Sequence, residues 1–328
     1  MGKKIEKIGV LTSGGDAPGM NAAIRAVVRA CAYYNIECVG VYRGYQGLIE
    51  GDFKVLTARN VSNIINRGGT ILKSARSKDF RTKEGREKAY KEVKRAEIDA
   101  LVLIGGDGTF TGGMVFNQEF TLPCIGIPGT IDNDIFGTNF TIGYDTALNT
   151  VVGVIDKIRD TASSHNRLFF VEVMGRDAGF IALNAGVGAG AEEILIPEED
   201  LGLERLLESL KRTKRSGKSS SIVVVSEGDK IGKNVFELAD YMKENYPFYD
   251  VRVSVLGHMQ RGGSPSCYDR VLASRLGVAA VEALLDRTTG VMVGTTNNEI
   301  STVGLNKAIK MNNDINEELL KVAEIISV

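Results

Sequence analysis

Short apolar runs alternate with helix-length amphipathic segments along most of the chain. Lys7–Thr12 is strand-like, and in Met20–Tyr34 the apolar residues recur every three to four positions, as on the buried face of a helix. Further strand-like runs are Cys38–Tyr42, Ala100–Ile104, Cys124–Ile127, Leu168–Met174, Ser221–Val225 and Val251–Leu256. Because several runs are continuously apolar rather than alternating, the pattern predicts an α/β fold with mostly parallel sheets covered on both faces.

Length and composition narrow the class of protein. A chain of 328 residues has room for two domains of about 150 residues each. With 43% hydrophobic and 25% charged residues, the composition excludes disorder, collagen-like repeats and coiled coils. The formal net charge of -1 provides no overall positive field to attract nucleic acid or a membrane. We therefore expect a soluble globular protein with neither of these as a partner.

Cysteine and histidine usage bears on redox state and metals. Cys31, Cys38, Cys124 and Cys267 form no CxxC pair, and the chain has only 2 histidines. We therefore expect buried, reduced thiols and no zinc site. The N-terminus lacks a secretory apolar region, and no apolar run approaches the roughly 20 residues that cross a bilayer. These features predict a cytoplasmic location.

Two glycine-rich loops follow predicted strands, at the edge where parallel sheets bind ligands. The backbone N–H groups of Thr12–Met20, which opens a helix, suit an anion, although a tight turn between strand and helix explains the same glycines. Gly105–Thr109 adds Asp107, which is suited to hold Mg²⁺ on nucleotide phosphates or, alternatively, to cap the helix.

A third loop, Pro128–Asp134, carries two carboxylates. In an extended segment, the two-residue spacing of Asp132 and Asp134 places both on the same side. One would then serve as a base while the other supports a metal or orients the site. Asp and Asn also favour turns for purely local reasons, so a simple turn remains the alternative.

Charged side chains also follow the later strands. Arg176 and Arg261 lie beside glycines and suit bidentate phosphate capture, with His258 assisting, although each also fits a surface arginine near a turn. Glu227, just after Ser221–Val225, either accepts hydrogen bonds from sugar hydroxyls or caps the strand.

Taken in order, these segments resemble the bacterial-type ATP-dependent 6-phosphofructokinase family. The matching segments are Gly9–Arg25, Arg67–Arg76, Gly105–Gly108, Pro128–Asp134, Val173–Arg176 and Leu256–Ser264. The resemblance runs through nearly the whole chain and weakens after about Gly290. It implies two Rossmann-like three-layer α/β/α lobes with mostly parallel sheets and an active site in the cleft between them. The large, ATP-binding lobe would comprise residues 1–143 plus about 260–313, and the small, fructose 6-phosphate-binding lobe residues 144–259 plus about 314–328.

The resemblance also implies Mg²⁺-dependent transfer of the γ-phosphoryl group of ATP to the 1-hydroxyl of fructose 6-phosphate, the committed step of glycolysis. Asp132 then corresponds to the base, supported by Thr130 and Asp134, and Asp107 to the Mg²⁺ ligand. The implied ATP contacts are Gly15, Arg76, Ser77, Arg81, Gly106, Asp107, Gly108 and Thr109, of which Arg76 also stabilises the transferring phosphoryl group. The implied sugar contacts are Thr130, Asp132, Met174, Gly175, Arg176, Glu227, His258 and Arg261, and Arg176 also belongs to the catalytic set. Arg167 and Arg252 would reach the sugar phosphate of a neighbouring subunit in a homotetramer.

The phosphoryl donor can be argued from two glycines. Pyrophosphate-dependent relatives usually carry an aspartate after the GGD and a lysine before the TIDND, where this chain has Gly108 and Gly129. Glycine leaves room for the nucleotide, whereas an aspartate would crowd and repel it. We therefore expect ATP rather than pyrophosphate.

The resemblance further implies an effector site for ADP and phosphoenolpyruvate, built from Arg25, Arg29, Arg159, Glu192 and Lys218. Here the chain departs from the family, because Ala58, Ser216 and Ser220 stand where basic residues are usual. With fewer cations, anionic effectors should bind more weakly. We expect weakened or altered allostery.

Other functions explain less of the sequence. A NAD or lipid kinase shares GGDG but lacks the other segments, and a Rossmann dehydrogenase needs a GxGxxG in its first unit. A non-catalytic effector-binding homologue would be expected to lose Asp107 or Asp132, and both are present. Within the resembled family, a pyrophosphate-dependent phosphofructokinase remains the alternative.

Overall fold

The computed structural model describes residues 4–162, 167–199, 202–215, 220–231, 234–311 and 313–327. The chain divides into two compact units. Unit 1 comprises Met1–Thr130, Ile135–Thr146 and Arg261–Asn313, and unit 2 comprises Ile131–Asp134, Ala147–Gln260 and Asp314–Val328. The allocation of ATP to one unit and sugar phosphate to the other stays a prediction.

Strands and helices alternate along most of the chain. The strands are β1 (Lys7–Thr12), β2 (Glu37–Val41), β3 (Phe53–Leu56), β4 (Ala100–Gly105), β5 (Cys124–Pro128), β6 (Arg167–Val173), β7 (Glu193–Leu195), β8 (Ser220–Ser226), β9 (Asp250–Val255), β10 (Val291–Thr296) and β11 (Glu299–Gly304). The α-helices are α1 (Met20–Tyr33), α2 (Gly44–Glu50), α3 (Lys83–Arg95), α4 (Asp107–Phe120), α5 (Tyr144–Ala162), α6 (Phe180–Gly188), α7 (Gly202–Arg215), α8 (Val235–Asn245), α9 (Cys267–Leu285), α10 (Leu305–Lys310) and α11 (Glu317–Ile326). Two 3₁₀ helices cover Asp79–Arg81 and Gly257–Arg261.

Each unit is built on its own sheet. The seven-stranded sheet of unit 1 has the order β11-β10-β5-β4-β1-β2-β3, and the four-stranded sheet of unit 2 has the order β7-β8-β6-β9. The smaller sheet and the centre of the larger one are parallel, whereas β3 and β11 join the edges of the larger sheet antiparallel. The predicted α/β class with mostly parallel sheets is confirmed.

The central strands are apolar throughout because helices cover both faces of the sheet. In β4, Leu101 and Leu103 pack into a core with residues of α2, α3 and α4. Ile104 points to the other face. On that face, Gly129 packs closely against Ile104 and against Met20 of α1. A Cβ built on Gly129 would lie 3.1 Å from Ile104 Cγ2 and 3.3 Å from Met20 Cε. In unit 2, residues of α7 and α8 pack against one face of β6 and β8.

Helix α3 accounts for the charged stretch around residues 83–95. Thr82 caps its start by accepting a hydrogen bond from the Gly85 N–H, and Lys94 and Arg95 lie in its last turn, where the helix dipole favours positive charge. Only Ala89, Val93 and Gly85 are buried. The helix therefore presents its charged residues to solvent along most of its surface.

Strands β3, β7, β10 and β11 were not predicted from the apolar pattern. Strands β3 and β11 lie at the edges of the larger sheet and are largely exposed, and β7 has only 3 residues, so none of these has a clear apolar run. Strand β10 is an inner, mostly buried strand that was simply missed. The β10–β11 hairpin nevertheless has a local signal. Its two-residue turn is Asn297-Asn298, with φ values of 51° and 68°, and asparagine is among the residues that tolerate this left-handed conformation.

The thiols differ in exposure. Cys31, Cys38 and Cys124 are buried free thiols, as expected, and burial raises the pKa of Cys124 to about 12. Cys267 is exposed, so the expectation that all four are buried is wrong; it is the first residue of α9, ahead of the buried helix face. Within the described ranges, no helix combines the length and apolarity needed to cross a bilayer.

Candidate active site

The carboxyl edge of the unit 1 sheet brings three predicted loops together. Because β5, β4 and β1 are neighbours, the segments that follow them meet at this edge. Ser13 N–H donates to the Ile104 carbonyl at 3.0 Å, and Gly129 N–H donates to the Gly105 carbonyl at 3.0 Å. Thr109 Oγ1 donates to the Ser13 carbonyl at 3.1 Å. Backbone contacts therefore connect the loops that sequence reasoning singled out.

Glycine is required at the centre of this junction. A Cβ on Gly105 would overlap both the side chain of Thr109 and the carbonyl oxygen of Ser13. The next residue, Gly106, is the extended N-cap of α4 and caps it with no side chain, so Asp107 is the first helical residue and not the cap. The result is a helix N-terminus, which favours an anion, with one half-buried carboxylate beside it.

Helix α2 forms hydrogen bonds with two segments that are predicted to contact ATP. The Tyr45 hydroxyl donates to the Thr109 carbonyl at 2.5 Å, and its ring stacks on Phe80 with centroids 4.1 Å apart. Ser77 Oγ donates to Gln46 Oε1 at 2.8 Å. Tyr45 and Gln46 had no predicted role, because these contacts join residues more than thirty positions apart. Of the other predicted ATP residues, Arg76, Arg81 and Gly108 are exposed.

Arg261 reaches the first glycine loop. A Cβ built on Gly15 would lie 2.7 Å from Arg261 Nη1, and the same nitrogen lies 3.4 Å from the Asp16 carbonyl oxygen, to which it donates. Unit 1 thus places a predicted sugar-side arginine against a predicted ATP-side loop.

The segment with the two predicted catalytic carboxylates is turned rather than extended. Asn133 lies in the left-handed region with φ 55°. The argument that a two-residue spacing puts Asp132 and Asp134 on one side is therefore wrong. Asp132 is only 3% exposed, whereas Asp134 is half-buried. Thr130, 8% exposed, accepts a hydrogen bond at its carbonyl from Thr141 Oγ1 at 2.6 Å.

The carboxyl edge of the unit 2 sheet gathers most of the predicted sugar residues. Arg176, in the left-handed region with φ 59°, donates its N–H to Glu227 Oε1 at 2.7 Å. The Met174 N–H donates to Gln260 Oε1 at 3.3 Å. Arg176, Glu227 and His258 have exposed side chains, while Gly175 is buried.

Two residues beneath this edge had no predicted role. Gln260 is fully buried and also donates to the Gly257 carbonyl at 3.1 Å, so its amide joins the loops after β6 and β9. A polar residue inside a glycine-rich segment is the signal that sequence reasoning passed over. Burial, together with the negative charge of Glu227, raises the pKa of Glu172.

Arg167 and Arg252 lie at the other end of the same strands, near their amino ends and away from the carboxyl edge. Arg167 is the first residue of β6, and Arg252 lies near the start of β9. Both contact Asp250: Arg167 Nε lies 3.5 Å from Oδ2, and Arg252 Nη2 lies 3.1 Å from Oδ1. Since strands of this length span about 20 Å, these arginines do not join Arg176 and Glu227.

The predicted effector residues are divided between the units. Arg25 and Arg29 lie on α1, and burial together with the neighbouring Arg29 lowers the pKa of Arg25. In unit 2, Arg159 Nη2 donates to the Ala189 and Gly190 carbonyls, both at 2.8 Å, and Arg159 Nη1 lies 3.8 Å from Glu192 Oε1. Lys218 and Ser216 lie outside the described residues; Ser220 begins β8, and Ala58 is exposed.

Known proteins resemble the chain along its whole length. The Phosphofructokinase family matches residues 7–284. ATP-dependent 6-phosphofructokinase 2 of Bacteroides thetaiotaomicron is 56% identical over 324 residues, covering 99% of each chain. ATP-dependent 6-phosphofructokinase 1 of Thermus thermophilus is 53% identical over 98% of this chain and 100% of its own. The structure of phosphofructokinase from Saccharomyces cerevisiae superimposes with a TM-score of 0.88 at 37% identity, over 99% of this chain and 47% of the yeast chain.

Proposed function

Because the chain belongs to the phosphofructokinase family, we propose that it is an ATP-dependent 6-phosphofructokinase, which converts fructose 6-phosphate and ATP to fructose 1,6-bisphosphate and ADP. The observation that carries the proposal is the carboxyl edge of unit 1. There, Gly105 is packed against Ser13 and Thr109, and Asp107 opens α4. Backbone N–H groups and a helix N-terminus at this edge suit nucleotide phosphates, and the full-length similarity to ATP-dependent enzymes supports the donor.

In the proposed reaction, Asp132 accepts the proton of the sugar 1-hydroxyl as its oxygen attacks the γ-phosphorus. Thr130 and Asp134 support this carboxylate. Arg76 and Arg176 stabilise the charge that spreads over the transferring phosphoryl group, since positioning and electrostatics supply most of the catalysis in such reactions. Asp132 is almost completely buried, and this burial keeps competing water away from the proposed base.

Asp107 is the residue proposed to hold Mg²⁺. Mg²⁺ is usually bound by one or two carboxylates together with substrate phosphates and water, so a single carboxylate at the start of α4 fits the ion. When bound, the ion neutralises charge on the phosphates. In the part of the chain that the structure describes, no cluster of three or more His, Cys, Asp or Glu residues forms a metal cage.

The unit 2 edge is proposed to bind the sugar. Glu227 would accept hydrogen bonds from sugar hydroxyls, and Arg176, His258 and Arg261 would contact the substrate's charged and polar groups. Arg167 and Arg252 are proposed to serve a neighbouring subunit of a homotetramer. Their place at the far edge of the sheet supports this, because it separates them from Glu227 in their own chain.

The first test compares phosphoryl donors and removes the base. We expect fructose 6-phosphate-dependent turnover with MgATP and little with pyrophosphate. Asp132→Ser should lower kcat about 10²–10⁴-fold, whereas Asp240→Ser, at an exposed carboxylate of α8, should leave it unchanged. Turnover with pyrophosphate alone would show that the donor assignment is wrong, and no sugar phosphorylation from either donor would refute the function.

Gly108 allows a sharper test of the donor. A Cβ at this position would meet nothing within 4 Å, so Gly108→Asp should fold normally. The added carboxylate would face the phosphate site, and we expect the KM for ATP to rise about tenfold or more, measured in the same assay. An unchanged KM for ATP would refute the idea that glycine here admits the nucleotide.

We also propose a cytoplasmic enzyme with a weakened effector site. With Ala58 and Ser220 in place of basic residues, ADP and phosphoenolpyruvate should shift the fructose 6-phosphate saturation curve less than in a relative with the full basic set. Equal sensitivity of the two enzymes would contradict this.

A further inference from the structure

A long connection without helix or strand leads from β3 to the 3₁₀ helix Asp79–Arg81. Residues 57–78 form this connection, and irregular connections longer than about 12–15 residues are uncommon and usually functional. We call its central part, Asn66–Lys73, the strap. Within the strap, Gly69 and Lys73 are left-handed, with φ values of 65° and 60°. For Lys73 this conformation is unfavourable, so surrounding contacts must hold it.

Thr12 fastens one end of the strap. It is the last residue of β1 and is fully buried. Its Oγ1 donates to the Lys73 carbonyl at 3.0 Å and lies 2.8 Å from Thr70 Oγ1. Since the Thr12 proton points to Lys73, the Thr70 hydroxyl is the donor to Thr12. Thr70 Oγ1 in turn accepts the Leu72 N–H at 3.2 Å.

Asn21 fastens the other end. This residue of α1 is 1% exposed. Its Nδ2 donates to the Arg67 carbonyl at 3.0 Å and the Gly68 carbonyl at 3.1 Å, and its Oδ1 accepts the Ile71 N–H at 2.8 Å. Two donors and one acceptor on a planar amide match this arrangement, which an aspartate would oppose by facing carbonyl oxygens.

The strap also touches the segment that follows Arg261. A Cβ on Gly68 would overlap the Gly263 carbonyl, so the two backbones are in close contact. Ser264 Oγ donates to the Asn66 carbonyl at 2.9 Å. The strap therefore contacts Thr12 and Asn21, which lie on either side of the β1–α1 loop that carries Gly15, and the segment after Arg261. It ends three residues before Arg76.

From these contacts we infer that Thr12 and Asn21 are positioning residues for phosphoryl transfer: they fasten the strap across the edge of unit 1 and thereby set the position of Arg76. The inference rests on the proposed function, in which Arg76 stabilises the transferring group. Arg76 itself is exposed, so its placement depends on the backbone that leads to it.

The test separates positioning from folding. Thr12→Val keeps the shape of the side chain and removes the hydroxyl, whereas Thr12→Ser keeps the hydroxyl. With MgATP and fructose 6-phosphate, we expect Thr12→Val to lower kcat about 10- to 100-fold with less than a threefold change in the KM for fructose 6-phosphate, and Thr12→Ser to stay near wild type. In an Arg76→Ala background, the further loss from Thr12→Val should shrink below about twofold, because residues that act as a unit are not additive.

A matched control addresses general loss of hydrogen bonds. Thr289 Oγ1 accepts from the Cys124 N–H at the start of β5, the opposite edge of the sheet, so Thr289→Val should keep the wild-type kcat. Should Thr12→Val fail to fold, as judged by thermal unfolding, Thr70→Val and Thr70→Ser test the same hydrogen-bonded pair by the same criteria.

Three results would overturn the inference: an unchanged kcat in Thr12→Val, a Thr12→Ser variant as slow as Thr12→Val, or an equal loss with and without Arg76. An inactive wild type would instead overturn the proposed function, and this inference with it. An active wild type with unaffected hydroxyl-deleted variants would overturn the inference alone.

Discussion

The carboxyl edges of the two units are both formed by parallel strands but offer different chemistry. At the edge of unit 1, backbone groups meet: the Ser13 N–H donates to the Ile104 carbonyl, and the Gly129 N–H donates to the Gly105 carbonyl. There is no room for a side chain at Gly105. At the edge of unit 2, the exposed side chains of Arg176, Glu227 and His258 are presented.

The difference corresponds to what each edge is proposed to bind. Phosphates are well served by amide N–H groups and a helix N-terminus, which any backbone can supply if glycine permits close approach. A sugar's hydroxyl pattern needs acceptors and donors at defined places, which only side chains provide. The comparison predicts that adding a methyl group damages the first edge, whereas neutralising a charge damages the second.

Among the substitutions that compare the two edges, the largest effect is expected for Gly105→Ala. The new Cβ would overlap Thr109 and Ser13, so the loop must shift, with a loss of kcat/KM for ATP of about 100-fold and of unfolding free energy of about 1–3 kcal/mol. Steady-state kinetics and urea unfolding measure the two quantities.

Gly153→Ala is the control for this substitution. It lies in α5, where a Cβ would meet nothing within 4 Å. We expect unchanged kinetics and a gain in unfolding free energy of about 0.5–1 kcal/mol, because alanine favours the helix. If Gly105→Ala had the same kinetics as Gly153→Ala, the claim that close packing at Gly105 matters for activity would be refuted.

A smaller effect is expected for Glu227→Gln in unit 2. The carboxylate accepts the Arg176 N–H at 2.7 Å. Removing its negative charge should raise the KM for fructose 6-phosphate about tenfold, which corresponds to the loss of about one charged hydrogen bond. The KM for ATP should not change. The control Glu244→Gln alters an exposed carboxylate of α8. A rise confined to the KM for ATP would reverse the assignment of the two edges.

The smallest effect on turnover is expected for a substitution of Asp269, a buried residue of α9. Its Oδ1 accepts the Gly143 N–H, and its Oδ2 accepts both the N–H and the hydroxyl of Thr146. Burial raises the pKa of Asp269 from 3.8 to about 6. Because the folded state then binds this proton more tightly than the unfolded state, the group's contribution to stability is highest below pH 4 and falls as the pH rises to 6.

Replacing Asp269 by Asn should remove that pH dependence. Relative to Asp269→Asn, wild type should lose about 2 kcal/mol of unfolding free energy between pH 4 and pH 7. Urea unfolding at each pH measures this loss. Parallel stability curves for the two proteins would show that burial does not shift this carboxyl group.

How far the sequence predicts this molecule depends on how local each feature is. The glycine loops follow their strands directly, so β1, β4 and β5 and the residues after them were found from the apolar pattern. The contacts of Asn21 with Arg67 and Gly68 join positions 46 and 47 residues apart, and no periodicity reports them. The left-handed Asn133 was missed for a different reason: spacing alone does not tell an extended segment from a turned one.

The most direct test of the account is ³¹P NMR of the products formed from fructose 6-phosphate and MgATP. The account predicts a new phosphomonoester resonance from the 1-phosphate of fructose 1,6-bisphosphate, appearing in step with ADP, and neither product at a comparable rate in Asp132→Ser. ADP released with inorganic phosphate and without a second sugar phosphate would contradict it.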